Sequence, residues 1–225
     1  MDPELLKRYD VRAPRYTSYP TAPNFHSGVD ASVYRAWLSH IGDDEEISLY
    51  IHVPFCANMC WYCGCHTRVV QRYEPIADYV KLLAREMELV SQALMSRPRV
   101  SQIHWGGGTP NMLTPQDFSM LMEKVEFHFS VSEAAHIAVE IDPRMLNSEM
   151  VAAFAVAGVN RASLGVQDFD PEIQKAINRE QPFEATAETV AMLRSAGIEG
   201  INFDLMYGLP HQTVENVIKS VDLAD

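Results

Sequence analysis

Four cysteines, all that the chain contains, are crowded together as Cys56, Cys60, Cys63 and Cys65. The first three are spaced C-x3-C-x2-C, and Cys65 follows one glycine later. Thiolates in such a cluster are ligands for soft metals, and iron–sulfur clusters are held by them. Three thiolates on a four-iron cluster leave one iron open to an exogenous chelating group. Zinc, a disulfide pair and a redox dithiol are the competing readings. Structural zinc sites use two separated ligand pairs. Cys63 and Cys65 lie too close together to form a second pair, and His66 would complete such a site only in a crowded arrangement. Residues 1–8 carry no apolar core of a secretory signal. The compartment expected is therefore the reducing cytosol, where clustered cysteines bind metals or do redox chemistry rather than form structural disulfides.

The elements around this stretch must position it. An apolar run at 47–53 precedes the cysteines and reads as a strand, so the cysteines leave the end of a strand as a loop. Further strands are expected at 100–105, 135–141, 161–166 and 200–205. Helices are expected at 75–94, 115–129, 148–157 and 183–196, and from about 214 onwards, with a broken helical stretch before 183. Alternation of this kind implies parallel strands with helical crossovers. Residues 1–42 read as an N-terminal extension, rich in proline and turn formers at 12–21, with one short helix capped by Asp30. Residues 43–225 form the α/β core.

Strand parity selects further residues. Ile47, Leu49, Ile51 and Val53 share one face of the first strand, and Tyr50 and His52 share the other. Glu140 and Asp142 oppose Ile137, Val139 and Ile141. Ser163 and Gln167 oppose Ala162, Leu164 and Val166, and Asn202 and Asp204 oppose Ile201, Phe203 and Leu205. The polar faces cluster toward the C-terminal strand ends, where a β/α barrel carries its site. The run 100–105 shows no clean alternation. Gly106-Gly107-Gly108-Thr109 follows it, either as a simple turn or as backbone exposed for close approach to a polar ligand. Apolar residues make up 47 % of the chain and charged residues 21 %, with 18 Lys and Arg against 30 Asp and Glu. A net charge of −12 without a basic run predicts no nucleic-acid partner. No apolar run is long enough to predict a membrane span.

Cys56-x3-Cys60-x-Tyr62-Cys63 after a first strand resembles the signature of the radical S-adenosylmethionine (SAM) enzymes. Further stretches resemble one family among them, the oxygen-independent coproporphyrinogen III oxidases. These are Tyr50–Cys56, Cys63-Gly64-Cys65, His104–Pro110, Glu140–Pro143, Gly165–Phe169, Asn178–Gln181, Asp204–Pro210 and Pro14–Thr21. The resemblance implies a partial (β/α)6 TIM-like barrel, here with about five strands. The cofactors implied are a [4Fe-4S] cluster on Cys56, Cys60 and Cys63 and SAM, two molecules of it. Cys65 is expected to be free. Tyr50 and Glu140 match residues that contact the first SAM. Gly107, Gly108 and Thr109 match contacts to its methionine end and to a second SAM, and Gln167, Arg179 and Asp204 match contacts to the second. Tyr62, lodged between two ligands, would meet adenine.

The implied reaction is anaerobic oxidative decarboxylation of two propionates of coproporphyrinogen III to vinyl groups, giving protoporphyrinogen IX, through a 5′-deoxyadenosyl radical. No separate catalytic acid or base is implied, and the electron donor and acceptor are not named by any motif. The whole enzyme is expected to be a monomer. Two rivals remain: a haem-binding chaperone of the same superfamily, and a radical SAM enzyme with another substrate. Cys65 and the Tyr16–Thr21 segment favour the oxidase over the chaperone. Family barrels have a sixth strand and a helical C-terminal domain, expected beyond residue 225, so part of the substrate pocket and one covered sheet edge are expected to be missing.

Overall fold

The computed structural model describes residues 3–10 and 21–225. The proline-rich segment 12–20, including most of the Pro14–Thr21 motif, lies outside the described residues. Helix α1 (Pro3–Tyr9) and helix α2 (Ala31–Ser39) precede the core. Asp30 caps α2 as its sequence predicts, accepting hydrogen bonds from the amides of Ser32 and Val33 at 2.8 and 3.1 Å. This satisfies donors that the first helical turn leaves unpaired.

The core alternates strand and helix. In chain order it comprises β1 (Glu46–Val53), β2 (Phe55–Cys56), β3 (Arg68–Val69), α3 (Glu74–Ala93), β4 (Arg99–Gly107), α4 (Pro115–His128) and β5 (Ser130–Ile141). It continues with α5 (Ser148–Val156), β6 (Arg161–Gln167), α6 (Pro171–Ala176), α7 (Phe183–Ser195), β7 (Gly200–Leu205) and α8 (Val214–Ala224). The main sheet has five strands in the order β1-β4-β5-β6-β7, each parallel to its neighbours. Sequential parallel order with helical crossovers is a partial β/α barrel, as the alternation predicts.

One face of the sheet is dry. Val53, Trp105, Val139 and Leu164 are fully buried, and Ile51, Ile137, Ile141, Ala162 and Val166 nearly so. They pack under α3, α4, α5 and α7 in one continuous core. Trp105, Phe118 and Phe154 lie at its centre, with ring centroids 4.8 Å apart in each successive pair. The opposite face carries the polar residues that parity selected.

One local reading is explained and two are corrected. Toward β5 the surplus residues, Ser132–Ala135, lie in β5; toward β1 the ladder slips between Val100 and Gln102, so Ser101 is an extra residue of β4 on that side. This bulge resets the alternation, and Val100, Ile103 and Trp105 are all buried. The sequence stripe of α3 (Tyr79, Leu82, Leu83, Met87, Val90) holds except at Leu82, with Tyr79 and Val90 partly buried against the core. Ile76, Val80, Leu83 and Met87 are buried, whereas Leu82 is 67 % exposed. The buried spacing of four, three and four residues is a helical seam, but contact with the sheet and α4 decides which seam is covered. The cysteine stretch is not wholly a loop: β2 pairs with β3, Phe55 opposite Arg68 and Cys56 opposite Val69.

Candidate functional site

Val53 ends β1 and the chain turns through Pro54 into the cysteine loop. Both ends of the loop are tied. Arg68 N donates to Pro54 O at 2.7 Å, and Val70 N to Cys56 O at 3.0 Å. The middle is pinned to the segment after α6: Trp61 N donates to Ile177 O at 3.0 Å, and the Asn178 amide to Met59 O at 2.7 Å. The loop therefore holds its shape through hydrogen bonds to distant segments. Cys60 is buried, Cys56 and Cys63 are half-buried and Cys65 is exposed; all four are free thiols.

These cysteines line a cavity of about 200 Å³ together with Tyr62, Gly107, Gly108, Thr109, Glu140, Gln167, Arg179 and Asp204. Residues from the cysteine loop and the ends of β4, β5, β6 and β7 thus meet at the C-terminal mouth of the sheet. Tyr50 does not line this cavity. Its ring stacks on His104 at 5.6 Å and its hydroxyl bonds His52 Nδ1 at 3.1 Å. His104 Nε2 in turn bonds Glu140 Oε1 at 2.9 Å, which links Tyr50 to the cavity wall.

Each wall has a local cause. Glu140 is oriented from two sides, by His104 and by the Gly107 amide, which donates to Oε2 at 3.1 Å. The three glycines at the end of β4 make room for protein atoms. A Cβ on Gly106 would lie 2.8 Å from Glu140 Oε1, and one on Gly108 would lie 2.5 Å from Phe55 O. Gly107 has φ +113°, a backbone state open to glycine. Gln167 ends β6 at φ 72°, a strained conformation for a residue with a side chain, and strain of this kind gathers at functional sites. The Asp204 carboxylate is tied to Ser163 Oγ at 3.0 Å and to the Asn202 amide at 3.0 Å.

Arg179 is 7 % exposed. Its guanidinium donates to Gly165 O at 2.6 Å and to Cys60 Sγ at 3.6 Å, and lies 3.7 Å from Asp142. Asp142 and Arg144 were not singled out as site residues from the sequence. Asp142 shares the parity of Glu140, which was the available signal; Arg144 lies beyond the strand and had none. Arg144 grips Asp142 through Nε at 2.9 Å and Nη2 at 2.5 Å. Burial alone would raise the Asp142 carboxyl, but hydrogen bonds from Arg144 and the charges of Arg179 and Arg144 outweigh it, and the net shift is downward. Arg144 is held firmly charged, chiefly by its hydrogen bonds to Asp142.

The residues present suit an iron–sulfur cluster. The three spaced thiols share one cavity, and donors are trained on two of the sulfurs: Thr109 Oγ1 on Cys56 at 3.6 Å and Arg179 on Cys60. Two further cavity-lining donors, Thr67 Oγ1 and Arg179 Nε, are buried without a partner. Burial pushes the Cys56 thiol up, so iron binding would displace its proton. Burial and the neighbouring Cys63 likewise push Cys65 up, and burial raises the Tyr62 hydroxyl. Among the described residues, no three His, Cys, Asp or Glu side chains converge on a single metal ion. A cluster asks something different, because each thiolate bonds its own iron. No helix among the described residues is long and apolar enough to cross a membrane.

Comparison with known proteins agrees with this geometry. The Radical SAM superfamily profile matches residues 50–224. The oxygen-independent coproporphyrinogen III oxidase of Bradyrhizobium diazoefficiens is 56 % identical over 212 residues, covering 94 % of this chain and 47 % of the relative. That of Paracoccus denitrificans is 47 % identical over 218 residues, covering 97 % and 48 %. The solved structure of coproporphyrinogen III oxidase (HemN) from Escherichia coli, a radical SAM enzyme, superposes with a TM-score of 0.88 at 33 % identity, covering 98 % of this chain and 49 % of that one. The chain spans about half the length of these relatives. A cysteine-lined cavity at the mouth of a parallel β/α sheet and a profile match over nearly the whole core lead to one assignment: the chain belongs to the radical SAM superfamily.

Proposed function

We propose that this chain is the cluster- and SAM-binding part of an enzyme that oxidatively decarboxylates two propionates of coproporphyrinogen III to vinyl groups without oxygen. In this reading residues 1–42 are an extension and 43–225 the radical SAM core, working in the cytosol. The observation that carries it is the convergence of Cys56, Cys60 and Cys63 with Glu140, Gln167, Arg179 and Asp204 on one cavity, in a chain 56 % identical to such an oxidase. When bound, the cluster and SAM supply the radical chemistry. The protein's contribution is to bind, orient and exclude.

Cys56, Cys60 and Cys63 hold the cluster and Cys65 stays free. Glu140, fixed by His104 and Gly107, would hold one SAM, and Gly107, Gly108 and Thr109 would meet its methionine end and a second SAM. Gln167, Arg179 and Asp204 receive a second SAM. Tyr62 meets adenine, and Tyr50 supports Glu140 through His104.

The test is anaerobic reconstitution with iron and sulfide. Alanine at Cys56, Cys60 or Cys63 abolishes the brown chromophore, and alanine at Cys65 leaves it. A chromophore as dependent on Cys65 as on the others would overturn the three-ligand reading. With a one-electron reductant, the chain releases 5′-deoxyadenosine from SAM. A form extended to the relatives' length that cleaves SAM but makes no vinyl product from coproporphyrinogen III would sink the substrate assignment.

A further inference from the structure

Cys60 is the buried ligand of the set, and it is the one flanked by cations. Arg179 Nη1 donates to its sulfur at 3.6 Å, and Arg144 lines the same cavity, held there by Asp142. Both guanidiniums converge on one carboxylate, Asp142, whose side chain is 8 % exposed. The two other carboxylates of the cavity are committed elsewhere: Glu140 to His104 and Gly107, and Asp204 to Ser163 and Asn202. Two cations on one anion leave a local positive charge, and a buried charge without a counter-charge is costly. Cys60 is where the missing anion belongs.

We infer that Arg144, together with Arg179, sets the reduction potential of the cluster bound at Cys60, and that Asp142 is a positioning residue that holds both guanidiniums beside it. The inference rests on the proposed cluster ligands. Reduction adds negative charge to a cluster, so a nearby cation favours the reduced state, and net charge and hydrogen bonds at the sulfurs tune the potential. A low-dielectric surround strengthens the effect. Arg144 serves better than Arg179 as a test site. Its side chain is 21 % exposed, against 8 % for Arg179, and borders an outer recess with Asn58, Asn178 and the exposed carboxylate of Glu180.

The experiment is a redox titration of the anaerobically reconstituted chain, followed by electron paramagnetic resonance, with iron and sulfide counted for each variant. Arg144→Gln is expected to keep its cluster and titrate at a more negative potential than the native chain, and Arg144→Lys to stay near the native value. Asp142→Asn discriminates its role. If Asp142 positions the arginines, the potential falls as in Arg144→Gln; if it merely offsets their charge, the potential rises, which would overturn that half. An Arg144→Gln cluster at the native potential overturns the inference, as does an Arg144→Lys that fails to load or falls as far as the glutamine. A native chain that assembles no cluster overturns the ligand assignment itself, a result distinct from an unmoved potential.

Discussion

Glu140 shows what a single side chain contributes. Its carboxylate is held by a histidine and a backbone amide before any ligand arrives, so little ordering remains to be done on binding. Glu140→Gln keeps the shape and removes the charge. Hydrogen bonds to charged groups contribute roughly 1.5–3 kcal/mol, so SAM affinity should weaken by about 10- to 100-fold in equilibrium binding to the reconstituted chain. Asp142 makes the matching prediction for pH. Its folded pKa lies below the ordinary 3.8, so its contribution to stability is present above that value and is lost as pH falls through the folded pKa. Asp142→Asn should therefore destabilise the chain by on the order of 3 kcal/mol at pH 7 in denaturant melts. The gap from the native chain should narrow below about pH 4. A gap independent of pH would mean that the carboxylate's charge is not what Arg144 and Arg179 require.

At the scale of elements, the turn after β4 is the tightest junction in the site. Gly108 N donates to Val53 O at 2.9 Å and Thr109 N to Phe55 O at 2.7 Å, so the turn is sewn to the strand end that launches the cysteines. A methyl on Gly108 would press on the Phe55 backbone, which cannot swing aside as a side chain can. Gly108→Ala should cost about 1–3 kcal/mol of stability. It should also lower the iron bound per chain on reconstitution, because the displaced backbone is that of Phe55 beside Cys56. Full iron loading with native stability would show that the turn can shift without moving the ligand loop.

For the whole molecule, the sheet separates two jobs. Its dry face carries stability through Trp105, Phe118 and Phe154, all fully buried. Its wet face carries the site. Phe154→Ala should lower unfolding free energy by about 3–5 kcal/mol while leaving the ligand set chemically intact. Chromophore formed per folded chain should then match the native protein at low temperature. A selective loss of chromophore in a folded variant would show that the two faces are more tightly coupled than their separation suggests.

Much of this protein is determined locally. The C-x3-C-x2-C spacing after an apolar run brings three thiols to one cavity, because all three sit on one short loop. Strand alternation places Glu140, Gln167 and Asp204 on one face, because successive side chains of a strand point to opposite sides whatever lies beyond. Only the tertiary structure decided the rest. The bulge at Ser101, the covered seam of α3, the pairing of β2 with β3 and the stacking of Tyr50 on His104 depend on which distant segments meet. So does the Asp142–Arg144–Arg179 group beside Cys60: Asp142 and Arg144 share one turn, but Arg179 and Cys60 come from two other stretches of chain. Local periodicity follows from backbone geometry. Register, seam and charge partner follow from packing between segments far apart in sequence, which no local pattern encodes.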